Sequence, residues 1–469
     1  MLVVLIVVSL IVTNVRRGIA GRRLLAVRSN ERAAAALGVN VMAAKLYAFA
    51  LASALAGIGG ILLAFHSPII IPSQFDVLTS ITVVAVTVVG GLGYIGGALI
   101  GATLLPGGIG TQLLLPFNGA QPYLPLITGL FLLYVLRAGN GLYAQNVELV
   151  RHLGRGANRG LRLVWRPKPR DHGAAPATEA GDTSSSTALS YGESVTRVKT
   201  RERLEGGLQV RDLSVRFGTT LAVNGVSLDI VPREVHGLIG PNGAGKTTVI
   251  DALTGFVRPS DGKMLLRGTE ISSWSPRRRA RAGIARSFQS LELFSDLTIR
   301  ENIAVACDPG SRSRYLSDLV WPGRVRLSDV ASQAVSDFHL NDVLDQKPDA
   351  LDFGQRRLVA IARAVASDPD ILMLDEPAAG LSDFESEELS TLIRTLARDW
   401  EMSVLVVEHN IDLVLGLCDR VTVLDNGSVL ASGTPDEVRR NADVMAAYLG
   451  ADTPEDADAP TEPEVTALS

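Results

Sequence analysis

One short segment constrains the fold of this chain more than any other, because it fixes glycines, a lysine and a threonine in one order. Residues 240–247 read Gly-Pro-Asn-Gly-Ala-Gly-Lys-Thr and match the pattern G-x-x-x-x-G-K-[ST] at every fixed position. The apolar run EVHGLIG precedes the segment and predicts a buried strand, and KTTVIDALTGF follows with helical spacing up to Gly255. Strand, glycine loop and helix together predict a phosphate-binding site, in which backbone N–H groups converge on phosphate oxygens.

The residues of this loop have distinct expected tasks. Lys246 would contact the β- and γ-phosphates of a nucleotide, and the Thr247 hydroxyl would ligate Mg²⁺. We expect nucleotide contacts from Gly240, Asn242, Gly243, Ala244, Gly245, Lys246, Thr247 and Thr248. A glycine-rich turn that merely connects a strand to a helix is the alternative, and the full motif in its strand–helix context argues against it.

A second apolar run, Ile371–Leu374, predicts a parallel strand that is buried on both faces. It ends in Asp375 and Glu376, and two carboxylates at a strand end suit two tasks. Asp375 would hold Mg²⁺, usually through water, and Glu376 would polarise the attacking water. Two solvated turn acids would be the alternative for an isolated pair. The apolar run SVLVVEH ends at His409, again at a strand end on the expected active edge.

The order of these features along residues 207–450 resembles the ATPase domain of ATP-binding cassette (ABC) transporters. The resemblance implies a C-terminal α/β domain of the P-loop NTPase class and ABC type, with ATP and Mg²⁺ as cofactors. Leu351–Gln355 resembles the family's signature segment, usually Leu-Ser-Gly-Gly-Gln. Gly354 and Gln355 would then contact ATP that is bound to a second subunit.

Three further positions match ABC motifs by resemblance. Gln289 matches the glutamine loop, which contacts the Mg²⁺ and γ-phosphate region and the membrane domain, so it would serve both catalysis and metal binding. His409 matches the switch histidine, and Phe217 matches the aromatic residue that stacks on adenine. Two positions differ from the family: Asp352 replaces the signature serine, and Ser382 stands where an aspartate is usual. An anion at the first position would repel the γ-phosphate unless its side chain turns away.

Within the ABC family, four segments resemble the ATPases of branched-chain amino-acid uptake systems. They are RFGTTLAVNGVSLDI, TGFVRPSDGKMLLRG, LDEPAAGL and AAYLG. The resemblance runs through nearly the whole domain and implies an importer of branched-chain or similar amino acids. No residue identifies the substrate, so urea or short amides are the alternative for the same architecture.

Apolar runs fill the front of the chain and raise the hydrophobic share of the whole sequence to 47%. The runs are Leu2–Val15, Tyr47–Phe65, Val77–Val89, Ala98–Leu115 and Tyr123–Leu136. They predict an N-terminal α-helical membrane domain of about five spans, in which the glycine-rich break GGLGYIGG is a turn. By resemblance, residues 1–145 are the C-terminal part of a branched-chain amino-acid permease, a partial transmembrane domain.

Arginines beside the apolar runs predict the orientation. The first run is followed by Arg16, Arg17, Arg22, Arg23, Arg28 and Arg32, and the last by Arg137, Arg151 and Arg155. Both regions are expected in the cytoplasm, so an even number of crossings separates them and the ATPase domain is cytosolic. A signal peptide would carry its charges ahead of the apolar run, whereas here they follow it. The first run as a helix would reach only about 21 Å, short of the roughly 30 Å hydrocarbon layer.

The segment SNERAAAALGVN between the first two runs predicts a short helix. Ser29 or Asn30 would cap its start, and Gly38 would end it. By resemblance this is the cytoplasmic coupling segment of importer permeases, with Glu31 and Gly38 in the matching places. An ordinary surface helix is the alternative, because alanine-rich helices are common.

Composition changes again in residues 146–206, which are rich first in arginine and glycine and then in polar residues. We expect a mostly disordered linker, whose first arginines lie near anionic lipid head groups. Arginine clusters can also bind nucleic acid, but no folded basic domain accompanies these, so we expect no nucleic-acid partner. Residues 451–469 are acidic and predict a disordered tail. Cys307 and Cys418 show no pairing pattern and are expected to be free thiols.

Together these features predict the ATP-hydrolysing subunit of an ABC importer with a fused partial permease, multi-pass in the plasma (inner) membrane. The expected partners are a second ABC ATPase, either a copy or a relative, a second permease subunit and an extracytoplasmic substrate-binding protein. The small-molecule substrate and membrane lipid complete the set. Two alternatives remain: a membrane-anchored ATPase whose permease remnant does not conduct, and an ABC ATPase of translation or repair. The membrane-like runs argue against the second.

Overall fold

The computed structural model describes residues 1–66, 76–91, 93–104, 129, 137, 206–288, 291–308, 310–323 and 325–449. The chain forms two compact units. One comprises Met1–Ser9 and Ala54–Ser186, and the other comprises Leu10–Ser53 and Thr187–Ser469. The second unit therefore contains the segment between the first two apolar runs as well as the nucleotide-binding motifs.

Helices account for the described front of the chain. They are α1 (Leu2–Arg17), α2 (Ile19–Ser29), α3 (Glu31–Ala36), α4 (Val41–His66), α5 (Val77–Gly90) and α6 (Ile95–Leu104). The predicted cap of α3 is confirmed for Asn30, whose side chain accepts the backbone N–H of Ala33 at 2.9 Å. Gly38 follows the helix at φ +80°, a conformation that glycine adopts without a steric penalty.

One described helix is long and apolar enough to cross a membrane by itself. It is Val41–Phe65, with 25 residues and a mean hydropathy of 2.1. Helices α1 and α2 pass the same test only as a pair, and they are bent by 68° at their junction. The expected break between the third and fourth runs is confirmed, because α5 ends at Gly90 and α6 begins at Ile95. Most of the last two runs lies outside the described residues, and the total of five spans is not confirmed.

The remaining elements alternate between strands and helices. The strands are β1 (Leu208–Phe217), β2 (Thr220–Ile230), β3 (Val235–Ile239), β4 (Asp261–Leu266), β5 (Thr269–Glu270), β6 (Ile284–Ser287), β7 (Ile371–Asp375), β8 (Ser403–Val407), β9 (Arg420–Asp425) and β10 (Ser428–Gly433). The helices are α7 (Lys246–Thr254), α8 (Pro276–Arg281), α9 (Ile299–Ala306), α10 (Arg314–Val320), α11 (Asp329–Asp337), α12 (Phe353–Val365), α13 (Asp383–Arg398), α14 (Ile411–Leu417), α15 (Pro435–Arg439) and α16 (Ala442–Leu449). Two 3₁₀ turns, Asn341–Val343 and Pro348–Ala350, precede α12.

The strands form two sheets. The smaller sheet is antiparallel with the order β2-β1-β4-β5, and the larger has the order β10-β9-β3-β8-β7-β6. In the larger sheet β9, β3, β8, β7 and β6 run parallel, and β10 is an antiparallel edge strand. All residues of β3, β7 and β8 are buried, which confirms the predicted core strands.

The parallel register places the candidate site at one edge of the larger sheet. Val407 at the end of β8 pairs with Leu238 of β3 on one side and with Asp375 of β7 on the other. The segments that follow these three strands therefore leave the sheet at the same edge. In parallel sheets ligands bind beyond the carboxyl ends of the strands.

Candidate nucleotide site

The glycine loop after β3 has a backbone that only glycine supports at two points. Gly243 and Gly245 have φ angles of +82° and +95°. A Cβ at Gly245 would lie 2.7 Å from the carbonyl oxygen of Ala222, so a side chain has no room there. Gly245 is also the N-cap of α7, so the loop leads directly into the positive end of a helix.

Lys246 lies inside the curve of this loop. Its Nζ donates to the carbonyl oxygens of Gly240 at 2.6 Å and Pro241 at 2.9 Å. Burial lowers the pKa of Lys246, and the charges of Glu376 and Asp375 oppose that shift. An ammonium group that is held by neutral carbonyls can exchange them for phosphate oxygens, so this loop fits a nucleotide phosphate group. The remaining loop residues differ in exposure: Asn242, Gly243 and Thr247 are exposed, Gly245 and Thr248 half-buried, and Ala244 buried.

Asp375 is buried at the end of β7 and forms an ion pair. Its Oδ2 accepts from Nη2 of Arg286 at 2.7 Å. Burial raises the pKa of this carboxyl, and the Arg286 charge acts in the opposite direction. Among the described residues no group of three or more His, Cys, Asp or Glu side chains could hold a metal ion alone. Mg²⁺ in nucleotide sites takes only one or two protein ligands beside phosphates and water, and a carboxylate such as Asp375 is a donor of the type that it prefers.

Glu376 has a fixed but unusual backbone. Its φ angle is +46°, in the left-handed region that non-glycine residues seldom adopt. Its N–H donates to the carbonyl oxygen of Val407 at 2.8 Å, and its own carbonyl accepts from Nη1 of Arg357 at 2.5 Å. Strain of this kind persists where the surroundings hold the backbone, and it is frequent at active sites.

Arg357 was not indicated by the sequence, although it touches the segment after β7 twice. This arginine on α12 is 4% exposed, and its Nη2 donates to the carbonyl oxygen of Ala379 at 2.9 Å. The guanidinium group lies 5.1 Å from the ring centre of Phe353 at the start of the same helix. Burial lowers the pKa of Arg357. The contacts join the signature helix to the backbone of Glu376.

The side chain of His409 is 60% exposed at the strand end where it was predicted. Its Nδ1 lies 3.7 Å from Oε2 of Glu408, whose side chain is 1% exposed. Glu408 also accepts the backbone N–H of Ala378 at 2.8 Å, and burial raises the pKa of its carboxyl group. Sequence reasoning did not single out Glu408, because a glutamate beside a strand-end histidine has no distinctive pattern.

The signature segment lies at the surface. Asp352 is the N-cap of α12, and its Oδ1 accepts the backbone N–H of Gln355 at 2.7 Å. Gln355 is exposed and Gly354 is half-buried. Within the described part of the chain, no hydrogen bond joins Gly354 or Gln355 to residues 240–247. This segment therefore does not complete the glycine loop of its own chain.

Two predicted site residues stand apart. Phe217 is 52% exposed at the end of β1, so its ring is open to a ligand. Gln289 lies outside the described residues. Ser382, at the other position that departs from the family, caps α13 by accepting the N–H of Glu385, whose side chain in turn accepts the N–H of Ser382.

The segment α2–α3 packs against the ATPase part of the same unit. Arg23 forms a two-point ion pair with Asp308 at 2.5 and 2.8 Å, and both side chains are almost fully buried. The backbone N–H of Ala20 donates to Oδ2 of Asp318 at 2.8 Å. The carbonyl oxygen of Gly38 accepts from Arg277 and Arg281 of α8 at 3.1 to 3.2 Å. The predicted coupling segment therefore has a defined surface on the ATPase.

One side chain joins this docking surface to the nucleotide site. Oδ1 of Asp251 on α7 accepts from Nη2 of Arg32 on α3 at 2.5 Å. The same oxygen accepts from Nη1 of Arg286 at 2.5 Å, and Arg286 pairs with Asp375. The guanidinium of Arg32 also lies 4.7 Å from the ring centre of Phe256. A continuous series of ionic hydrogen bonds therefore connects α3 to the carboxylate at the end of β7.

A glycine loop after a buried parallel strand, an Asp-Glu pair after a second strand and a separate capped signature helix define an ABC-type ATPase. Family models give the same result. The ABC transporter model matches residues 223–379, the permease component of branched-chain amino acid transport systems matches 1–136, and the branched-chain amino acid ATP-binding cassette transporter model matches 428–453.

Curated relatives extend this result to the whole ATPase part. The chain is 41% identical over 248 residues to the high-affinity branched-chain amino acid transport ATP-binding protein LivG of Escherichia coli (strain K12), which covers 52% of this chain and 97% of that protein. The chain is 40% identical over 248 residues to the high-affinity branched-chain amino acid transport ATP-binding protein BraF of Pseudomonas aeruginosa. This match covers 52% of this chain and 97% of that protein. A solved nucleotide-free ATP-binding cassette from an ABC transporter is 28% identical, with a TM-score of 0.46, over 52% of this chain and 98% of that one. This chain belongs to the ABC transporter family: it is a membrane-associated ATPase that binds and hydrolyses ATP, with a permease domain ahead of the cassette.

Proposed function

We propose that this chain drives the uptake of branched-chain or similar amino acids across the plasma (inner) membrane. The observation that carries the proposal is the docking of α2–α3 on the ATPase, with Arg23 paired to Asp308 at its centre. A permease segment that is fixed to the cassette in the same unit can transmit a conformational change from one to the other. The substrate follows from the names of LivG and BraF and from the two branched-chain family models.

The proposed chemistry places each task on a residue of the loop or of a strand end. The loop N–H groups, Lys246 and Thr248 hold the phosphates, and the ring of Phe217 stacks on adenine. Thr247, Asp375 and Gln289 would hold Mg²⁺, which when bound would supply positive charge against the charge that develops on the phosphates.

Glu376 would orient the attacking water and accept its proton. The left-handed backbone of this residue is held by the carbonyl of Val407 and by Arg357, which supports a fixed direction for its side chain. The exposed His409 would reach the γ-phosphate from the next strand end. Glu408 would orient the histidine through its carboxylate, which lies 3.7 Å from Nδ1 of His409. That carboxylate is itself fixed by the N–H groups of Ala378 and His409.

We propose that active sites form only between two cassettes. Gly354 and Gln355 make no hydrogen bond to the loop of their own chain among the described residues, and they lie at the surface. A second ATPase, which we expect to be a relative with a serine signature, would place its own signature segment over ATP at Lys246. A second permease subunit and an extracytoplasmic substrate-binding protein would complete the importer.

The proposed topology has about five spans in residues 1–145 and a cytosolic ATPase in 207–450. Residues 146–206 would link the two, and 451–469 would form a tail. Labelling of Arg28→Cys tests this topology, because the Arg28 side chain is 62% exposed on α2. In a background with Cys307→Ser and Cys418→Ser, the new thiol should react only from the cytosolic side. Reaction from outside intact cells would contradict the orientation.

Uptake in proteoliposomes tests the function. The chain would be reconstituted with its candidate partner subunits and binding protein, and uptake of labelled leucine, urea and acetamide would be compared with ATP inside. We expect ATP-dependent uptake of leucine and none with Glu376→Gln. Uptake of urea or acetamide but not of leucine would show that the substrate is not a branched-chain amino acid. ATP hydrolysis without uptake of any of the three would support a membrane-anchored ATPase that does not transport them.

A further inference from the structure

The short helix α10 and the residue after it carry an apolar surface without a partner in the described structure. Leu316, Val320 and Trp321 are 71%, 78% and 81% exposed. Among the described residues of 206–449 these are the three most exposed large hydrophobic side chains, and all three lie within one six-residue segment. Leu316 and Val320 lie four residues apart and share one side of the helix, and Trp321 follows at its C-terminal end in an extended conformation. Clustered exposed apolar side chains mark an interaction surface.

Helix α10 is fixed against the ends of two apolar helices. Nδ2 of Asn14, in the last turn of α1, donates to the carbonyl oxygens of Leu319 at 3.3 Å and Val320 at 3.0 Å. The ring centre of Tyr315 lies 4.7 Å from that of Tyr47 on α4. The apolar surface therefore has a defined place beside both helices.

The position of these contacts along α1 and α4 indicates how deep in the membrane the apolar surface of α10 would lie. Leu10 on α1 and Phe49 on α4 are 57% and 74% exposed, so the apolar outer sides of both helices extend to the neighbourhood of α10. Beyond Leu10 towards its C-terminal end, α1 finishes in Arg16 and Arg17. An apolar helix surface that gives way to arginines marks the boundary between hydrocarbon and head groups.

Among the described residues of 310–326, the exposed charged side chains are arginines. Arg312, Arg314 and Arg326 are exposed. The acidic residue of the helix, Asp318, is fully buried and accepts the N–H of Ala20. Basic side chains beside a membrane surface are attracted to anionic lipids, and tryptophan favours the head-group region. Protein interfaces also combine tryptophan and arginine, so the choice of a lipid surface rests on the exposed apolar sides of α1 and α4 beside this patch.

We propose that Leu316, Val320 and Trp321 insert into the cytoplasmic leaflet at the head-group level and hold the ATPase unit against an anionic membrane. The occupant is the bilayer itself, which is continuous with the lipid-facing sides of α1 and α4. The proposal rests on the topology given above, in which α10 lies on the cytosolic side.

Quenching of tryptophan fluorescence by brominated lipids tests the contact directly. The full chain would be placed in nanodiscs of anionic lipid, in a Trp165→Phe background that leaves Trp274, Trp321 and Trp400. The emission of Trp321 is the difference between this protein and the same protein with Trp321→Phe. We expect bromine near the head group to remove most of that difference signal and bromine deep in the acyl chain to remove less.

Trp400 provides the internal control, because it is 1% exposed in the core of the ATPase and should not respond to bromine. A Trp321 signal that is equal in brominated and ordinary lipid would overturn the proposal. A signal that responds to an added partner subunit but not to bromine would assign the surface to protein and overturn it as well. ATP turnover in the same nanodiscs and Arg28→Cys labelling in intact cells report separately on the proposed function and topology.

Discussion

The carboxylate of Asp352 accepts the backbone N–H of Gln355 at 2.7 Å and so caps the signature helix. Sequence comparison with the family raised the expectation that an anion here would repel the γ-phosphate unless it turned away. The structure shows the side chain bonded to the first turn of α12. In that position the negative charge is stabilised by the helix N-terminus.

We expect Asp352→Ala to destabilise the protein by about 1 kcal/mol, because α12 loses its cap, and Asp352→Ser to cost less because serine also caps. The free energy of unfolding, followed by helical signal in detergent, measures both changes. Asp349→Ala is the matched control, since Asp349 is exposed and precedes α12 in the 3₁₀ turn. Equal stability of Asp352→Ala and Asp349→Ala would contradict the capping role.

Replacing Glu376 by glutamine should leave ATP binding intact and lower turnover by roughly 10²–10⁴-fold, the range for loss of a positioned base. Glutamine preserves the size of the side chain and leaves the backbone contacts with Val407 and Arg357 in place. Binding of a fluorescent ATP analogue and steady-state phosphate release would be measured with the partner cassette present. Glu387→Gln, on the exposed side of α13, is the control. Wild-type turnover in Glu376→Gln would remove its assignment as the base.

Arg32→Ala should weaken the coupling of ATP hydrolysis to uptake. The change removes one of the two arginines that share Oδ1 of Asp251, and the pair of Arg286 with Asp375 remains. Because Arg32 is partly exposed, its contact with Asp251 contributes on the order of 1 kcal/mol. Losing it shifts the equilibrium between docked and undocked α3 about fivefold. The ratio of substrate taken up to ATP hydrolysed in proteoliposomes measures it.

Arg28→Ala is the matched control for this experiment. Arg28 pairs with Asp296 at 2.5 Å, but its side chain is 62% exposed. Within the described part of the chain, no series of ionic hydrogen bonds leads from this pair to the nucleotide site. We expect its uptake ratio to stay near that of the unmodified chain. Equal losses for Arg28→Ala and Arg32→Ala would show that the series through Asp251 has no special role.

The burial of His236 on β3 predicts that the free energy of unfolding falls in mild acid. The side chain is 2% exposed with Nε2 2.9 Å from Oγ1 of Thr422, and burial lowers its pKa from 6.5 to about 4. Below the unfolded pKa the unfolded chain binds a proton that the folded chain does not, so stability falls as pH drops from about 6.5 to 4. The loss is on the order of 3 kcal/mol. The free energy of unfolding of His236→Gln should depend less on pH between these values. His339→Gln, at an exposed position, is the control and should keep the pH dependence of the unmodified chain.

The elements that the sequence predicted best are those with a local pattern. The loop at Lys246 and the strands β3, β7 and β8 follow from a fixed motif and from continuous apolar runs. The Arg23–Asp308 pair could not be predicted, because 285 positions separate its members and single charges leave no periodic signal. Arg357 was missed for the same reason: its partners are backbone carbonyls, which every residue has. The role of Asp352 required the geometry of its cap.

The docking of α2–α3 on the ATPase takes place within a single polypeptide. Ala26, Ala33 and Ala34 are fully buried against the ATPase, and their surface and its counterpart belong to one polypeptide. Their local concentration is set by the connecting chain, in the millimolar range for flexible tethers, and does not fall when the protein is diluted. Synthesis of the chain also fixes their ratio at one to one. A cell that makes this protein therefore needs no balance between the expression of the cassette and that of its docking segment.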